Sequence, residues 1–170
     1  MTEAAFDIRD ATPADVPDLL QMIRALAEFE KLTHLCVAEE ADLALALFGP
    51  QPAAEALIAR CGAAAAGFAL FYHTFSTFLG RRSLWLEDLF VQLEFRRQGC
   101  AKQLLKSLAS RAVERGCGRF EWTVLDWNDD AVDFYRMLGA TVLPDWRIVR
   151  LVGAPLRALA GHGTHGPRNA

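Results

Sequence analysis

The stretch Val91-Gln92-Leu93-Glu94-Phe95-Arg96-Arg97-Gln98-Gly99-Cys100-Ala101-Lys102 decides how this chain is read. Upstream, Ser83 to Val91 is dense in Leu, Trp, Phe and Val, the composition of a strand. Downstream, Leu104, Leu105, Leu108, Ala109 and Ala112 recur at helical steps until Gly116 ends them. The stretch is therefore a strand-to-helix loop with a glycine at the mouth of the helix. The first amides of a helix lack intrahelical partners and sit at the positive end of its dipole. A glycine that admits a close approach turns such a mouth into an anion site. Arg96, Arg97 and Lys102 add positive charge at the same place. A plain basic connection would have the same outline, so the loop by itself leaves both readings open.

Working outward toward the N-terminus, Phe6-Asp7-Ile8-Arg9 alternates like a short strand. Thr12-Pro13-Ala14-Asp15 then supplies a cap, a proline at the first helical position and an acid one turn in. Val16, Leu19, Leu20, Ile23, Leu26 and Ala27 share one helical face, which predicts a helix running to Phe29 or Glu30. A second helix is predicted over Ala38 to Phe48, stopped by Gly49-Pro50. Ala54 to Cys61 and Gly67 to His73 read as strands around an Ala/Gly turn.

Toward the C-terminus, Phe120 to Leu125 reads as a strand and Asp129 to Leu138 as a helix closed by Gly139. A final strand pair is predicted over Ala140 to Val142 and Trp146 to Val152. From Gly153 the pattern is lost, and an apolar turn around Leu156 and Leu159 is expected before a disordered tail. The order predicts an α+β chain, a mixed sheet with helices on its faces.

At 170 residues the chain is the size of one domain. Hydrophobic residues at 52% and charged residues at 23% are an ordinary globular balance. A net charge of -3 without a dense Lys/Arg run gives no reason to expect nucleic acid or an anionic membrane as partner. No apolar run approaches a membrane span, and Met1 to Asp10 is unlike a signal peptide, so a cytoplasmic protein is expected. Cys36, Cys61, Cys100 and Cys117 form no C-x-x-C pair, and His34 and His73 have no spaced partners, so no metal is expected. The loop is neither G-x-x-x-x-G-K-[ST] nor G-x-G-x-x-G, which argues against a nucleoside triphosphate or a dinucleotide. Other diphosphates remain, and coenzyme A is one.

These residues resemble the GNAT superfamily of acetyl-CoA-dependent N-acetyltransferases, whose signature [QR]-x-x-G-x-[GA] is matched by Arg96, Gly99 and Ala101. Trp85-Leu86-Glu87-Asp88-Leu89-Phe90-Val91, Val124-Leu125-Asp126-Trp127-Asn128, Phe134-Tyr135 with Leu138-Gly139-Ala140, and Leu26-Ala27-Glu28-Phe29-Glu30 resemble the spermidine/spermine (diamine) and thialysine branch. The resemblance implies a GNAT fold of about seven strands, mostly antiparallel, and about four helices, over residues 6–153, with 154–170 a partly disordered tail. It implies acetyl-CoA as cofactor, no metal, a small amine as substrate and a homodimer. Leu89, Phe90 and Val91 would hold the pantetheine arm through their backbones. Arg96, Arg97, Gln98, Gly99, Cys100, Ala101 and Lys102 would hold the pyrophosphate. Asn128, Asp129, Asp130, Ala131 and Tyr135 would complete the cofactor site, with Tyr135 as general acid. Glu87, Phe29 and Glu30 would face the amine, and Glu121, Trp122 and Thr123 would lie along the same pocket. Arg97 stands where a glycine is frequent, Ala101 where the second glycine is usual, and Phe29 where the polyamine enzymes often carry tyrosine.

An alkyl ammonium has a pKa near ~10.4 and must lose a proton before it attacks a thioester. Glu87 reads as the base or as the anchor of that cation. Tyr135 reads as the donor to the departing thiolate, since a phenol with a pKa near ~10 can protonate it. The expected activity is acetyl transfer to a polyamine, thialysine or lysine-like primary amine. A non-catalytic coenzyme A sensor and a protein N-acetyltransferase are the alternatives.

Overall fold

The computed structural model describes residues 5–162 and divides into two compact units between Thr123 and Val124. In the first unit, β1 (Asp7–Asp10), β2 (Glu55–Cys61), β3 (Ala64–Ser76), β4 (Arg81–Val91) and β5 (Phe120–Trp122) form a sheet in the order β1-β2-β3-β4-β5. The first four are antiparallel neighbours, and β5 runs parallel to β4. Helix α1 (Val16–Phe29) follows a 3-10 turn over Pro13–Asp15, and α2 is Glu40–Phe48. Both read correctly from the sequence, as does α3 (Cys100–Glu114). Leu19 and Met22 of α1 and Leu47 of α2 pack with Ala56, Ile58, Phe68 and Phe90 on one sheet face. On the other face α3 buries Cys100, Leu104, Leu105, Leu108 and Ala112, with the Arg111 guanidinium over the Phe71 ring. Ala109, expected on that face, is exposed.

The turn end of β2 and the start of α1 are tied by a buried carboxylate. Asp15 accepts from both guanidinium nitrogens of Arg9 at 2.7 and 2.8 Å and from Arg60 at 2.7 Å. The Thr12 amide and hydroxyl complete its shell, each at 2.8 Å. Arg60 also reaches Asp18 at 2.6 Å.

The second unit contains α4 (Asp129–Met137) and α5 (Gly153–Leu159). Two expectations fail here. The strand pair over 140–142 and 146–152 is absent, so the described residues hold five strands and five α-helices rather than about seven and four. Pro144 has no amide to give a ladder, and Trp146 N turns back onto Leu143 O at 3.4 Å, so the segment makes a local turn where pairing was expected. Conversely, the apolar turn expected around Leu156 and Leu159 is a full helix. The end of the expected tail, 163–170, lies outside the described residues.

Candidate functional site

The site begins with an irregularity in β4. Leu70 faces Asp88 across the β3–β4 ladder, yet the next residue, Phe71, faces Leu86, so Glu87 is the extra residue of a bulge. In a regular strand, Trp85 and Asp88 would point to opposite faces because they are three apart. The bulge puts them on the same face, alongside Tyr72, which faces Trp85, and Leu70. That is the face covered by α1, whose last turn ends at Phe29 with Glu30 as its cap. Two consecutive carboxylates from β4 and one from the end of α1 thus share a neighbourhood.

These acids are coupled through their charges. Burial, then the charges of Glu87 and Glu30, push the Asp88 carboxyl up to about 6. Burial also raises Glu30. Neither has an arginine or lysine partner among the described residues. Glu30 also sits at the negative end of a helix with no basic residue in its last turn, against the preference of the dipole. Glu87 is exposed, and its Oε2 accepts from the Tyr72 hydroxyl at 3.2 Å and from Trp85 Nε1 at 3.1 Å. A concentration of negative charge with no internal cation is suited to a cationic ligand. An open cleft of about 640 Å³ between Ala53–Glu55 and Tyr72–Phe75 touches this group only through Tyr72 and contains none of the three acids.

Beside the acids, the β4–β5 ladder ends at Leu86 and Trp122, so from Glu87 to Val91 β4 pairs with β3 alone. Leu89, Phe90 and Val91 therefore lie where the sheet has opened on its β5 side. Gly67 allows β3 to close tightly against the other side, since a Cβ there would stand 2.6 Å from Phe90 O. At the end of the strand, Arg96 donates from Nε to Val91 O at 3.0 Å and lies over the rings of Phe29 at 5.0 Å and Phe90 at 5.6 Å. Arg96 and Phe29, expected to face different ligands, thus meet and fix the loop to the end of α1.

The loop then turns through two left-handed residues, Arg97 at φ 59° and Gly99 at φ 88°. Glycine takes this conformation freely and arginine pays steric strain for it, which explains why a glycine is usual at position 97. Gly99 is the N-cap of α3, and no side chain caps the helix. The leading amides of α3 are thus left for an anion, and left-handed turns of this kind curl successive N–H groups toward one point. Arg97 and Lys102 are exposed at the same mouth. Gln98 is turned back, donating from Nε2 to Glu94 O at 2.7 Å. Cys100 is buried, and its thiol is pushed up to about 11, so it stays protonated and is no nucleophile at neutral pH. The donor set fits a diphosphate, which needs backbone amides and positive charge rather than a metal. No group of three or more metal-binding side chains exists among the described residues.

Of the remaining expected residues, Glu121 faces Trp85 in the ladder and is ion-paired to Arg119 at 2.8 Å. Trp122 faces Leu86, and Thr123 follows exposed. In the second unit, Asn128 caps α4 through Oδ1, which accepts from Ala131 N at 3.3 Å, and Asp129 and Asp130 suit the positive end of that helix. Tyr135 lies on α4, its phenol raised above the ordinary value by burial. The residues missed by sequence reasoning are Asp88, Tyr72 and Trp85. For Asp88 a signal existed, the acidic doublet inside an apolar strand. For Trp85 the two-residue spacing to Glu87 was a signal, whereas Tyr72 joins them only through the pairing of β3 with β4.

Residues 20–140 match the model of the acetyltransferase (GNAT) family. The chain is 34% identical over 197 residues to L-ornithine N5-acetyltransferase NATA1 of Arabidopsis thaliana, covering 89% of this chain and 86% of that protein. It is 38% identical over 169 residues to thialysine N-epsilon-acetyltransferase of Mus musculus, covering 93% of this chain and 99% of that protein. Among solved structures, an integron cassette protein from the mobile metagenome of V. cholerae superposes with a TM-score of 0.77 at 27% identity, over 91% of this chain and 97% of that one.

Proposed function

The chain belongs to the GNAT acetyltransferase family and is an N-acetyltransferase, and from that premise we propose that it acetylates the terminal primary amine of a small ornithine-, thialysine- or polyamine-like cation, using acetyl-CoA. The observation that carries the reading is the bulge that brings Glu87 and Asp88 to one face near Glu30. Acetyl-CoA, when bound, supplies an activated acetyl thioester. The backbone of Leu89 to Val91 and the amides that begin α3 hold it, with Arg97 and Lys102 neutralising its phosphates.

The acids divide the work on the amine. Glu87, exposed at the surface of the site, anchors the ammonium. Asp88 takes the proton that the ammonium must lose before its lone pair can attack. A carboxyl held at about 6 is a stronger base than an ordinary one and is still ionised at neutral pH. The nitrogen then bonds to the acetyl carbon, the carbon–sulfur bond breaks, and the nitrogen gives up its second proton to solvent as the amide forms. Tyr135 gives its phenolic proton to the departing thiolate; a phenol raised by burial stays protonated until that moment. The un-ionised Cys100 thiol is consistent with direct transfer and no acyl-enzyme.

Release of thiol from acetyl-CoA, measured against a panel of ornithine, thialysine, lysine, spermidine and a protein N-terminal peptide, tests the reading. Amine-dependent release with the small diamines is expected. Coenzyme A binding without any release would make the chain a binding module, and release with the peptide alone would make it a protein acetyltransferase. Tyr135→Phe is expected to lower kcat about 10²-fold with little change in the KM for amine, which steady-state kinetics reads directly.

A further inference from the structure

Glu87 is unusual among the exposed acids of the chain in being held by two aromatic side chains from two strands. The Tyr72 hydroxyl reaches it across the ladder from β3 and the Trp85 indole along β4, and both donate to the same oxygen, Oε2. Oε1 accepts no hydrogen bond among the described residues. An exposed carboxylate is solvated well by water and gains little stability from such bonds. Tyrosine and tryptophan have few rotatable bonds, so they fix what they touch at small entropic expense. Two residues from Trp85 and beside the Tyr72–Trp85 pair, Glu87 shares their face by the ordinary alternation of the strand, and the bulge then brings Asp88 to that face as well.

We propose that Tyr72 and Trp85 are positioning residues for the acceptor amine: by pinning Oε2 of Glu87 they present Oε1 alone, in one orientation, to the acceptor's ammonium group. The inference rests on the acetyltransferase reading of this site and adds to it. A freely rotating Glu87 would bind the same cation in many poses, of which few place its nitrogen beside Asp88. The pinned carboxylate reduces these to one. Among the described residues neither hydrogen bond of the clamp involves the loop before α3, so the clamp acts on the amine and not on the thioester side.

The test is a double-mutant cycle in the full chain, read by thiol release with acetyl-CoA and varied ornithine, thialysine or spermidine. Tyr72→Phe and Trp85→Phe are each expected to lower kcat/KM for amine about five- to tenfold while the KM for acetyl-CoA changes by less than about twofold. In a Glu87→Gln background neither substitution is expected to add anything, because the clamp has nothing left to hold. Effects that multiply with Glu87→Gln, or that fall on amine and on acetyl-CoA equally, would overturn the clamp while leaving the enzyme an acetyltransferase. Tyr72→Phe removes one oxygen only and keeps the cycle decisive if Trp85→Phe fails to fold. A wild-type chain that released no thiol with any of these amines would remove the acetyltransferase reading of the site, and the clamp with it.

Discussion

Asp15, buried, and Asp88, half-buried, both belong to the first unit, and the chain treats them in opposite ways. Asp15, 2% exposed, is met by two guanidinium groups, an amide and a hydroxyl, and the Arg9 bond, chief among these, holds its carboxyl far below the ordinary range. Asp88, by burial first and then by the charges of Glu87 and Glu30, is pushed up to about 6. The first pattern makes a buried charge stable, tying β1, β2 and α1 together. The second leaves charge unbalanced, which is tolerable only if a cationic ligand completes it. The contrast shows where this fold invests in stability and where it gives stability up.

The largest effect is expected from breaking the balanced side. Asp15→Asn keeps the shape but removes the charge that both arginines face, leaving Arg9 and Arg60 crowded without compensation. Loss of one partner of a buried ion pair costs about 3–5 kcal/mol, so a large fall in the urea midpoint is expected. Activity per folded molecule is expected to persist, because Asp15 touches none of the acceptor acids. A midpoint shift below about 1 kcal/mol would show that the pairing is decorative.

On the unbalanced side the sign reverses. An unfolded Asp88 ionises near 3.8 and the folded one near 6. Between these values the folded state holds a proton that the unfolded state has lost. Stability therefore falls as pH rises through the window, and the deficit is complete above about 6. Asp88→Asn removes that deficit and is expected to stabilise the chain by roughly 1–3 kcal/mol at pH 7.5, with no gain below pH ~4. The same substitution is expected to lower kcat/KM for amine about 10²-fold. Asp15 behaves conversely: its contribution is present above the unfolded value and is lost only as pH falls through its depressed folded one. Denaturation of both variants from pH 3.5 to 8 should therefore give difference curves of opposite sign. Two curves of one sign would dissolve the contrast.

Much of this was legible from the residues. Thr12-Pro13 and the spacing from Val16 to Ala27 announce α1, and Gly99 announces the mouth of α3, because caps and periodicity are local properties. The acidic doublet in β4 was equally visible, but it suggested Glu87 alone as the working residue. The distinction between Glu87 and Asp88 lies in which one is buried, and that follows from a bulge whose register no local pattern encodes. Tyr72 escaped because it meets Glu87 only through the pairing of β3 with β4, which is not local in the sequence. The segment 140–152 alternates well enough for strands, yet pairing needs an available edge, and the turn from Leu143 to Trp146 takes its backbone elsewhere. Leu156 and Leu159 looked too isolated for a helix, and α5 forms nonetheless.

The finest test of the contrast is Glu30→Gln. If Asp88 is the proton acceptor, kcat/KM for amine should fall on the acid side with an apparent pKa near 6, the value its surroundings impose. Burial is the first cause of that value, Glu87 the second and Glu30 the third. Neutralising Glu30 removes the smallest of the three, so the acid limb is expected to move down by only a few tenths of a pH unit, while stability rises slightly as a charge leaves the negative end of α1. The direction matters more than the size. A limb that moved up would mean that Glu30 relieves Asp88 instead of opposing it. A limb unmoved by Glu30→Gln and still present in Asp88→Asn would assign the titration to another group and return the role of base to Glu87.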